Sequence, residues 1–374
     1  MAIYTEEMTV NMGPQHPSTH GVLNLKLKTD GEIVHDARPN IGYLHRCAEK
    51  IAENVTYPQF IPYTDRMDYV AAMNQNLGYV LGVERLMNVE VPLRAQYIRV
   101  IMAELNRIAS HLLFMACYAL DSGAFTPFLY AFREREMILD LFEATCGARL
   151  TYNYIWIGGV SRDLPQGFVD KARQFLDYLS PRVKEYHELF SYNKIFIERT
   201  ANVGILPKET AIAYGVTGPT LRGSGVRWDL RRDEPYLIYD RFDFDVPVGR
   251  GEMGTVGDCW DRYMVRMREI EESAKIVRQA LDQYEQLPPG EVRAKVPRAL
   301  KVPPGEVYMR TEAPRGEIGF YIVSDGGLKP YRVKVRAPSF SNLSVFHEIS
   351  RGGMIADIVL ILGSVDIVLG DIDR

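Results

Sequence analysis

Two histidines four residues apart, His16 and His20, lie in the N-terminal stretch GPQHPSTHG. On a helix, histidines at this spacing share one face and can bind zinc. Here Pro14, Pro17 and Gly21 argue against a helix, and no glutamate follows the first histidine. A third ligand would have to come from elsewhere in the chain. The residues alone leave three interpretations open for this pair: metal binding, a structural role in the loop, or a functional polar role.

Charged side chains also recur on a segment with the pattern of a buried central helix. Glu104, Arg107 and His111 fall at i, i+3 and i+7 of that segment. Charges on a buried helix must be paired or face a polar cavity, and both interpretations stay open. Asp121 follows in the loop DSGAF, either as a turn residue or as the partner of a buried cation.

The segment TYPQFIPYTDRMDY is dense in polar groups near a predicted helix start. Thr64 is predicted to cap this helix, which would run to about Leu86. Tyr69 then opens a helix face with Ala72 and Asn76. A tyrosine at that spacing usually lies in the core, with its hydroxyl bonded to one partner.

The elements that must position these residues are mainly helical. Val22–Lys28 alternates apolar and polar residues, and a turn signal follows it, so the segment predicts a β-hairpin entered by the GPQHPSTHG loop. Four long helices are predicted after the one at Thr64, at residues 94–120, 126–147 with Thr126 as its cap, 166–192 with a break near Pro181, and 258–286. Three β-like runs come last, at Val307–Arg310, Ile318–Val323 and Tyr331–Arg336.

These patterns predict one α+β, mainly α domain spanning residues 1–374: a β-rich N-terminal region at 1–40, a helical bundle core at 41–286, and a β-rich flap with a C-terminal tail at 287–374. A second domain after residue 286 is the alternative, but its strands would be too short to be stable alone. The net charge of −4 argues against a nucleic acid as partner.

Several cofactor sites are not indicated. The four cysteines lie far apart without a C-x-x-C pair, so neither an iron–sulfur cluster nor a structural zinc is expected within the chain. The sequence has no phosphate-binding loop or nucleophile elbow, and no buried strand precedes the glycines of GRGEMGTVGD. No signal peptide is indicated, and no apolar run approaches the roughly 18–20 residues that span a bilayer. We expect a chain that does not cross a membrane but can sit on a membrane complex.

Several long motifs together resemble one family: MTVNMGPQHPSTHGVL, IGYLHR, PYTDRMDY, ELNRIASHLLF, DSGAFTPFLYAFRERE, YIWIGGV, EAPRGEIGFYIVSDGG and YRVKVRAPSF. The chain resembles the D subunit of the proton-pumping NADH:quinone oxidoreductase, respiratory complex I, from about Met8 to Arg374. That family is distantly similar to the large subunit of [NiFe] hydrogenases, which implies a hydrogenase-like fold. Near the C-terminus, Val368 and Asp371 stand where hydrogenases have nickel thiolates. The resemblance therefore implies a cavity that takes a quinone and no metal.

The resemblance also implies roles for particular residues. His20 and Tyr69 match the quinone-headgroup ligands, and Asp121 matches the aspartate paired with the histidine; these three are the expected catalytic residues. Arg46 matches an arginine near the terminal [4Fe-4S] cluster, which belongs to the neighbouring B subunit. The residues expected to support the site are His16, Glu104 and Arg107. Thr151 departs from the pattern, because many relatives have a histidine there near the cluster.

The expected chemistry follows from these side chains. Tyr69, with an ordinary pKa of about 10, can release a proton to a reduced quinone oxygen, and ionised Asp121 would keep His20 cationic. Loss of the His20 proton would leave Asp121 unpaired, and we hypothesise that this change starts the signal to the membrane arm.

The resemblance implies a hetero-oligomer with the B and C subunits of the peripheral arm and with the membrane-arm subunit facing the quinone chamber. The chain would lie on the cytoplasmic side of a bacterial membrane as a peripheral subunit. No cofactor is expected on this chain alone, with NADH and FMN bound by other subunits. A hydrogenase-type catalytic subunit and a non-catalytic scaffold are the alternatives.

Overall fold

A three-stranded antiparallel sheet forms the N-terminal part of the chain. The computed structural model describes residues 6–16 and 19–374. The sheet contains β1 (Glu7–Met12), β2 (Asn24–Asp30) and β3 (Ile33–Asn40), in the order β1-β2-β3. Leu25 and Leu27 of β2 are buried while Lys26 and Lys28, which alternate with them, are exposed, as the pattern predicts. The predicted hairpin is therefore confirmed, whereas the interpretation of Pro17 falls outside the described residues.

Long helices make up the core. The helices and short strands of this region are α1 (Ala48–Ala52), α2 (Tyr57–Asp65), α3 (Ala72–Met87), α4 (Leu93–Asp121), α5 (Phe125–Cys146), β4 (Ile155–Trp156), β5 (Gly159–Val160), α6 (Phe168–Tyr186), α7 (Lys194–Thr200), α8 (Lys208–Ala213), α9 (Gly218–Gly223), α10 (Leu230–Asp233) and α11 (Cys259–Glu285). A π-helical turn, His187–Ser191, extends α6, and a 3₁₀ turn spans Tyr239–Arg241. Helix α4 runs through the centre and packs on α5 and α11.

Helix α4 is apolar on almost every side because protein surrounds it. In the described part of the chain, it is the one helix long and apolar enough to cross a membrane, and 89% of its most apolar window is buried inside the protein. A buried core helix has the same length and composition as a membrane span.

Two predicted helix starts and one predicted helix break were wrong. Thr64 does not begin a helix, because α2 starts seven residues earlier, at Tyr57, where Thr56 and Gln59 form a capping box. Helix α5 begins at Phe125, with Ala124 and not Thr126 as its N-cap. Pro181 lies inside α6 without ending it, since the helix buries a continuous apolar stripe that outweighs the lost hydrogen bond.

The C-terminal part combines a sheet with four short helices. Strands β6 (Gly305–Ala313), β7 (Gly316–Ser324) and β8 (Arg332–Arg336) pair antiparallel in sequence order, which confirms the three predicted runs. The chain ends with α12 (Pro338–Ser344), α13 (Phe346–Ser350), α14 (Ile355–Val365) and α15 (Leu369–Asp373). Helix α3 packs closely on β7, where a Cβ added at Gly82 would lie 2.9 Å from Ile322. The predicted class, α+β and mainly α, is confirmed.

Buried guanidinium–carboxylate pairs tie the core helices together. Arg99 of α4 is fully buried and donates to both carboxylate oxygens of Glu84, at 2.6 and 3.0 Å. Removing one partner leaves an uncompensated buried charge. Arg99→Met is therefore expected to cost about 3–5 kcal/mol of unfolding free energy, measured by proteolysis of this chain in purified complex at increasing urea.

An exposed ion pair supplies the control for this substitution. Arg278 contacts Asp177 at 2.7 Å, but both side chains are largely solvated. Arg278→Met should cost less than about 1 kcal/mol. An equal loss of unfolding free energy in the two variants would show that burial does not determine how much these ion pairs stabilise the protein.

Candidate functional site

The loop between β1 and β2 presents His20 in a backbone conformation that holds the side chain in place. His20 has φ 55, in the left-handed region. The Thr19 hydroxyl donates to the carbonyls of His16 and Gly21, at 2.8 and 3.0 Å. A Cβ added at Gly21 would lie 2.9 Å from Leu369, so the loop rests directly on α15. These contacts hold Thr19 and Gly21, the two neighbours of His20, in place.

His20 and Asp121 form an ion pair across 101 residues of sequence. The Nε2 atom of His20 lies 2.7 Å from Oδ2 of Asp121, and the two side chains are 19% and 12% exposed. Asp121 is the last residue of α4, so the central helix delivers it to the loop. Because Nε2 faces the carboxylate, Nδ1 is the ring atom left to meet a ligand. The partial exposure leaves the pair shielded but reachable.

The environment of His20 favours its charged form. Burial lowers its pKa, but the hydrogen bond and charge of Asp121 and the charge of Asp366 outweigh that effect, so the pKa rises above the ordinary 6.5. Arg315 opposes the rise. His20 therefore carries its proton to higher pH than a solvated histidine does.

A glycine in α14 makes room for Asp121. A Cβ added at Gly363 would lie 2.7 Å from Oδ2 of Asp121 and 2.9 Å from the Tyr118 ring. Gly363→Ala should therefore displace the carboxylate from His20 while leaving the helix intact, since alanine is a better helix former. If Asp121 acts as the resemblance implies, turnover of the assembled protein should fall by about tenfold, because a displaced group no longer holds His20 in place.

Gly353→Ala is the matched control for the Gly363 variant. At Gly353 the nearest atom to an added Cβ is 3.4 Å away, an ordinary contact. Its turnover should stay unchanged. Full activity in both variants would mean that the position of Asp121 does not limit the reaction.

Tyr69 lies in the turn at residues 66–71 between α2 and α3, and the prediction that it opens a helix was wrong. Oδ1 of Asp68 accepts the Val70 backbone N–H at 3.3 Å, and Asn106 of α4 donates to the Val70 carbonyl at 3.1 Å. These bonds hold the turn against the central helix. Tyr69 is 37% exposed, so the turn presents it at the surface of the site instead of in the core.

The Tyr69 hydroxyl stays protonated at neutral pH. Burial raises its pKa above the ordinary value of 10, Arg315 and Arg46 lower it, and Asp68 adds a smaller rise. The group is thus a hydrogen-bond donor with two cations in its surroundings.

Arg46 lies beside the Tyr69 turn. Its backbone N–H donates to the Arg374 carbonyl at 3.0 Å, and its Nη2 donates to the Arg66 carbonyl at 2.7 Å. A Cβ at Gly370 would lie 2.5 Å from the Met67 carbonyl oxygen, so the turn and α15 approach as closely as only glycine allows. Arg46 itself is exposed enough to meet a partner.

A buried cluster of Arg315, Asp68 and Asp366, here called the Arg315 cluster, joins the two parts of the site. Nη1 of Arg315 lies 3.1 and 2.9 Å from the carboxylate oxygens of Asp68, and Nη2 lies 3.1 Å from Oδ1 of Asp366. Asp68 precedes Tyr69, and Asp366 follows α14, the helix against which Asp121 packs. Sequence reasoning assigned no role to these three residues, although Asp68 lies in the motif PYTDRMDY and Arg315 in EAPRGEIGFYIVSDGG.

Glu104 and Arg107 lie in a separate buried network. Their side chains pair at 3.1 Å, and Glu104 also accepts from Arg231 at 3.0 Å and from Tyr239 at 2.6 Å. Burial favours protonation of Glu104, but the charges of both arginines and the tyrosine bond outweigh it and lower its pKa. The sequence left open whether these charges are paired or face a polar cavity. The structure shows that they are paired, both within α4 and with Arg231 of α10.

His16 lies on the outer side of the loop. It is exposed and forms an isolated β-bridge with Gly21. A recess of about 810 Å³ opens there, lined by Pro14, Gln15, His16, Gly21 and Val22. In the described ranges 6–16 and 19–374, no three histidine, cysteine or acidic side chains gather as a metal site would need.

Comparison with known proteins decides the family. The chain matches the family described as "Respiratory-chain NADH dehydrogenase, 49 Kd subunit" over residues 121–301 and 294–374. The chain belongs to this family. It is 54% identical to the D subunit of NADH-quinone oxidoreductase from Chlorobium luteolum over 371 residues, covering 99% of this chain and 94% of that one. It is 56% identical to the D subunit from Geobacillus kaustophilus over 373 residues, covering 100% of both. The D subunit from Bacillus cereus is 56% identical over 371 residues, covering 99% of this chain and 100% of that one.

Family membership identifies the protein as one component of an NADH:quinone oxidoreductase, respiratory complex I. It therefore works in a hetero-oligomeric, membrane-associated oxidoreductase complex.

Thr151, which the resemblance set apart, lies in the loop between α5 and β4 with φ 53. Two residues on, the Asn153 backbone N–H donates to Oδ2 of Asp65 at 3.0 Å. Burial raises the pKa of Asp65 to about 7, against weaker lowering by Asn76 and that backbone bond. The loop thus contacts a carboxyl group whose pKa burial raises to about 7.

Proposed function

We propose that this chain forms, together with the B subunit, the site at which quinone is reduced by electrons from the terminal [4Fe-4S] cluster of that neighbour. The observation that carries the proposal is the ion pair of His20 and Asp121 at 2.7 Å, reachable from the surface of the chain. A cationic histidine stabilises the negative charge that develops on a quinone oxygen more than a neutral donor does.

The proposed reaction uses two protons and two electrons. The neighbouring cluster would supply the two electrons one at a time. Nδ1 of His20 and the Tyr69 hydroxyl would each give one proton, so that quinone leaves as quinol. Solvent then returns a proton to each donor. Asp121 keeps its bond to Nε2 of His20 throughout, so the imidazole holds its orientation while it changes charge.

Proton translocation starts, in this proposal, when His20 becomes neutral. Asp121, at the C-terminal end of the central helix α4, then faces a neutral imidazole. An uncompensated carboxylate in a shielded place is unstable, and the resulting rearrangement is the signal passed to the membrane arm.

The family resemblance supplies the remaining parts of the proposal. Arg46, beside the Tyr69 turn, would face the cluster of the B subunit. The C subunit and one from the membrane arm would cover other faces, with NADH and FMN on further subunits. The chain would lie on the cytoplasmic side of the membrane. His16 would support the His20 loop from its outer side, whereas Glu104 and Arg107 would support the site only indirectly, from their separate buried network.

Photolabelling of the intact complex tests the assignment. The probe is a quinone analogue with a photoreactive group on its ring, and cross-linked peptides are identified by mass spectrometry. We expect labels in the peptide containing His20 and in the turn at residues 66–71, both suppressed by excess unlabelled quinone. Suppressible labels on other subunits alone would favour a non-catalytic scaffold.

A further inference from the structure

The hairpin between β6 and β7 places one arginine at the centre of the buried charges. Its tip has the sequence Glu-Ala-Pro-Arg-Gly-Glu, residues 312–317, and Arg315 points inward, with its side chain 3% exposed. Asn342 donates to the Arg315 carbonyl at 2.9 Å. A Cβ added at Gly218 would lie 2.4 Å from Cα of Gly316, so two backbones meet where only glycine fits. The tip is therefore held by a hydrogen bond and by a close backbone contact.

Arg315 is connected to both proton donors of the proposed site through short chains of contacts. On one side it binds Asp68, which is next to Tyr69 in the turn and also accepts the Val70 N–H. On the other side it binds Asp366, which ends α14 with φ 57.

The second chain of contacts runs along α14 to the histidine. Asp121 packs on this helix at Gly363, three residues before Asp366, and holds His20. The guanidinium also donates to the Ser110 hydroxyl of α4 at 3.1 Å. A fixed cation thus stands between the turn of Tyr69 and the helix behind His20.

We propose that Arg315 is a positioning residue for quinone reduction, whose fixed charge offsets the negative charge left when Tyr69 and His20 release their protons. The inference rests on the proposed function. When both donors have given up a proton, the site has gained a tyrosinate and lost an imidazolium. The electrons arrive from the cluster and leave on quinol, so this charge of the site persists until solvent reprotonates both groups. Arginine stays protonated at any physiological pH, so the Arg315 charge stabilises the site while Tyr69 and His20 are deprotonated.

The charged and titratable groups around the donors come from every element packed there: Asp68 and Arg46 beside Tyr69, Asp121 and Cys117 on α4, Asp366 and Asp371 near α15, Arg266 on α11, and Arg315 itself. Arg315 lowers the pKa of both Tyr69 and His20. Removing its charge should raise both pKa values, so tyrosine becomes a poorer acid and histidine stays cationic to higher pH.

The test measures quinone reduction against pH in the assembled complex, normalised to NADH oxidation by a hydrophilic acceptor. The variants are Arg315→Lys, which keeps the charge, Arg315→Gln, and Arg315→Gln combined with Asp68→Asn, which also removes the carboxylate that would otherwise be left unpaired. Both uncharged variants should lose about tenfold in rate, and the alkaline limb of their pH–rate profile should move to higher pH. Arg315→Lys should keep the wild-type limb.

Arg99→Lys, in a buried pair with Glu84, controls for a general effect of altering a buried arginine. An unchanged limb in the uncharged variants would overturn the inference. So would failure of all three Arg315 variants to assemble while Arg99→Lys assembles, because Arg315 would then act on the fold alone. If Tyr69→Phe and Asp121→Asn still abolish reduction, the proposed function stands after either result. If those two variants are active, the proposed function itself fails.

Discussion

Asp121→Asn is expected to lower quinone reduction by about 100-fold while the complex still assembles and oxidises NADH with a hydrophilic acceptor. Asparagine has nearly the same shape and can still accept the hydrogen bond from Nε2 of His20. The geometry of the pair is therefore kept, and only the charge is removed. Without that charge the imidazole is no longer held as a cation, so the donor to quinone is lost.

The pH dependence of this variant has a definite direction. Burial lowers the pKa of His20, and Asp121 is the main cause of its net rise. In the wild type the cation is present below the raised pKa and is lost as pH rises through it. In Asp121→Asn, burial dominates and the pKa falls, so the alkaline limb of activity moves to lower pH. Part of the lost rate should return on acidification, which a pH profile of turnover measures.

Asp140→Asn is the control for Asp121→Asn. Asp140 lies on α5 and pairs with Arg149 at 2.7 Å, but its side chain is 71% exposed. Its loss should leave both the rate and the pH profile unchanged. Wild-type activity of Asp121→Asn across the pH range would remove Asp121 from the mechanism.

The helices that could be predicted from sequence are those whose start, end and buried face are determined by residues within the helix itself. Helix α11 begins where its cap, Asp258, accepts the Asp261 backbone N–H at 2.8 Å, and both ends agree with prediction to within a residue. The turn at residues 66–71 could not be predicted in this way. Asn106 and Arg315 specify it from elsewhere in the chain by binding Val70 and Asp68. The periodicity of a local segment contains no information about partners so far away in the sequence.

The site shows the same division. Spacing alone left a metal open for His16 and His20, because the partner of His20 is Asp121, 101 residues away. The family resemblance supplied His20, Tyr69 and Asp121 as a set, since it carries long-range information. It left out Arg315, whose carboxylate partners lie 247 and 51 residues away. The role of an arginine in a hairpin tip can be inferred only once the fold shows which residues the tip contacts.

Tyr69→Phe is expected to lower kcat for quinone reduction by about 100-fold, because it removes one of the two proposed proton donors and little else. The ring is kept, so the turn at residues 66–71 should hold its shape through the backbone bonds of Val70. Tyr63→Phe is the matched control, because Tyr63 is 38% exposed, against 37% for Tyr69, and lies on α2 outside the turn. Turnover of purified complex at saturating quinone measures the effect. A Tyr69→Phe rate equal to that of Tyr63→Phe would show that the hydroxyl does not deliver a proton. The second proton would then have to reach quinone directly from water, and the site would retain His20 as its one donor.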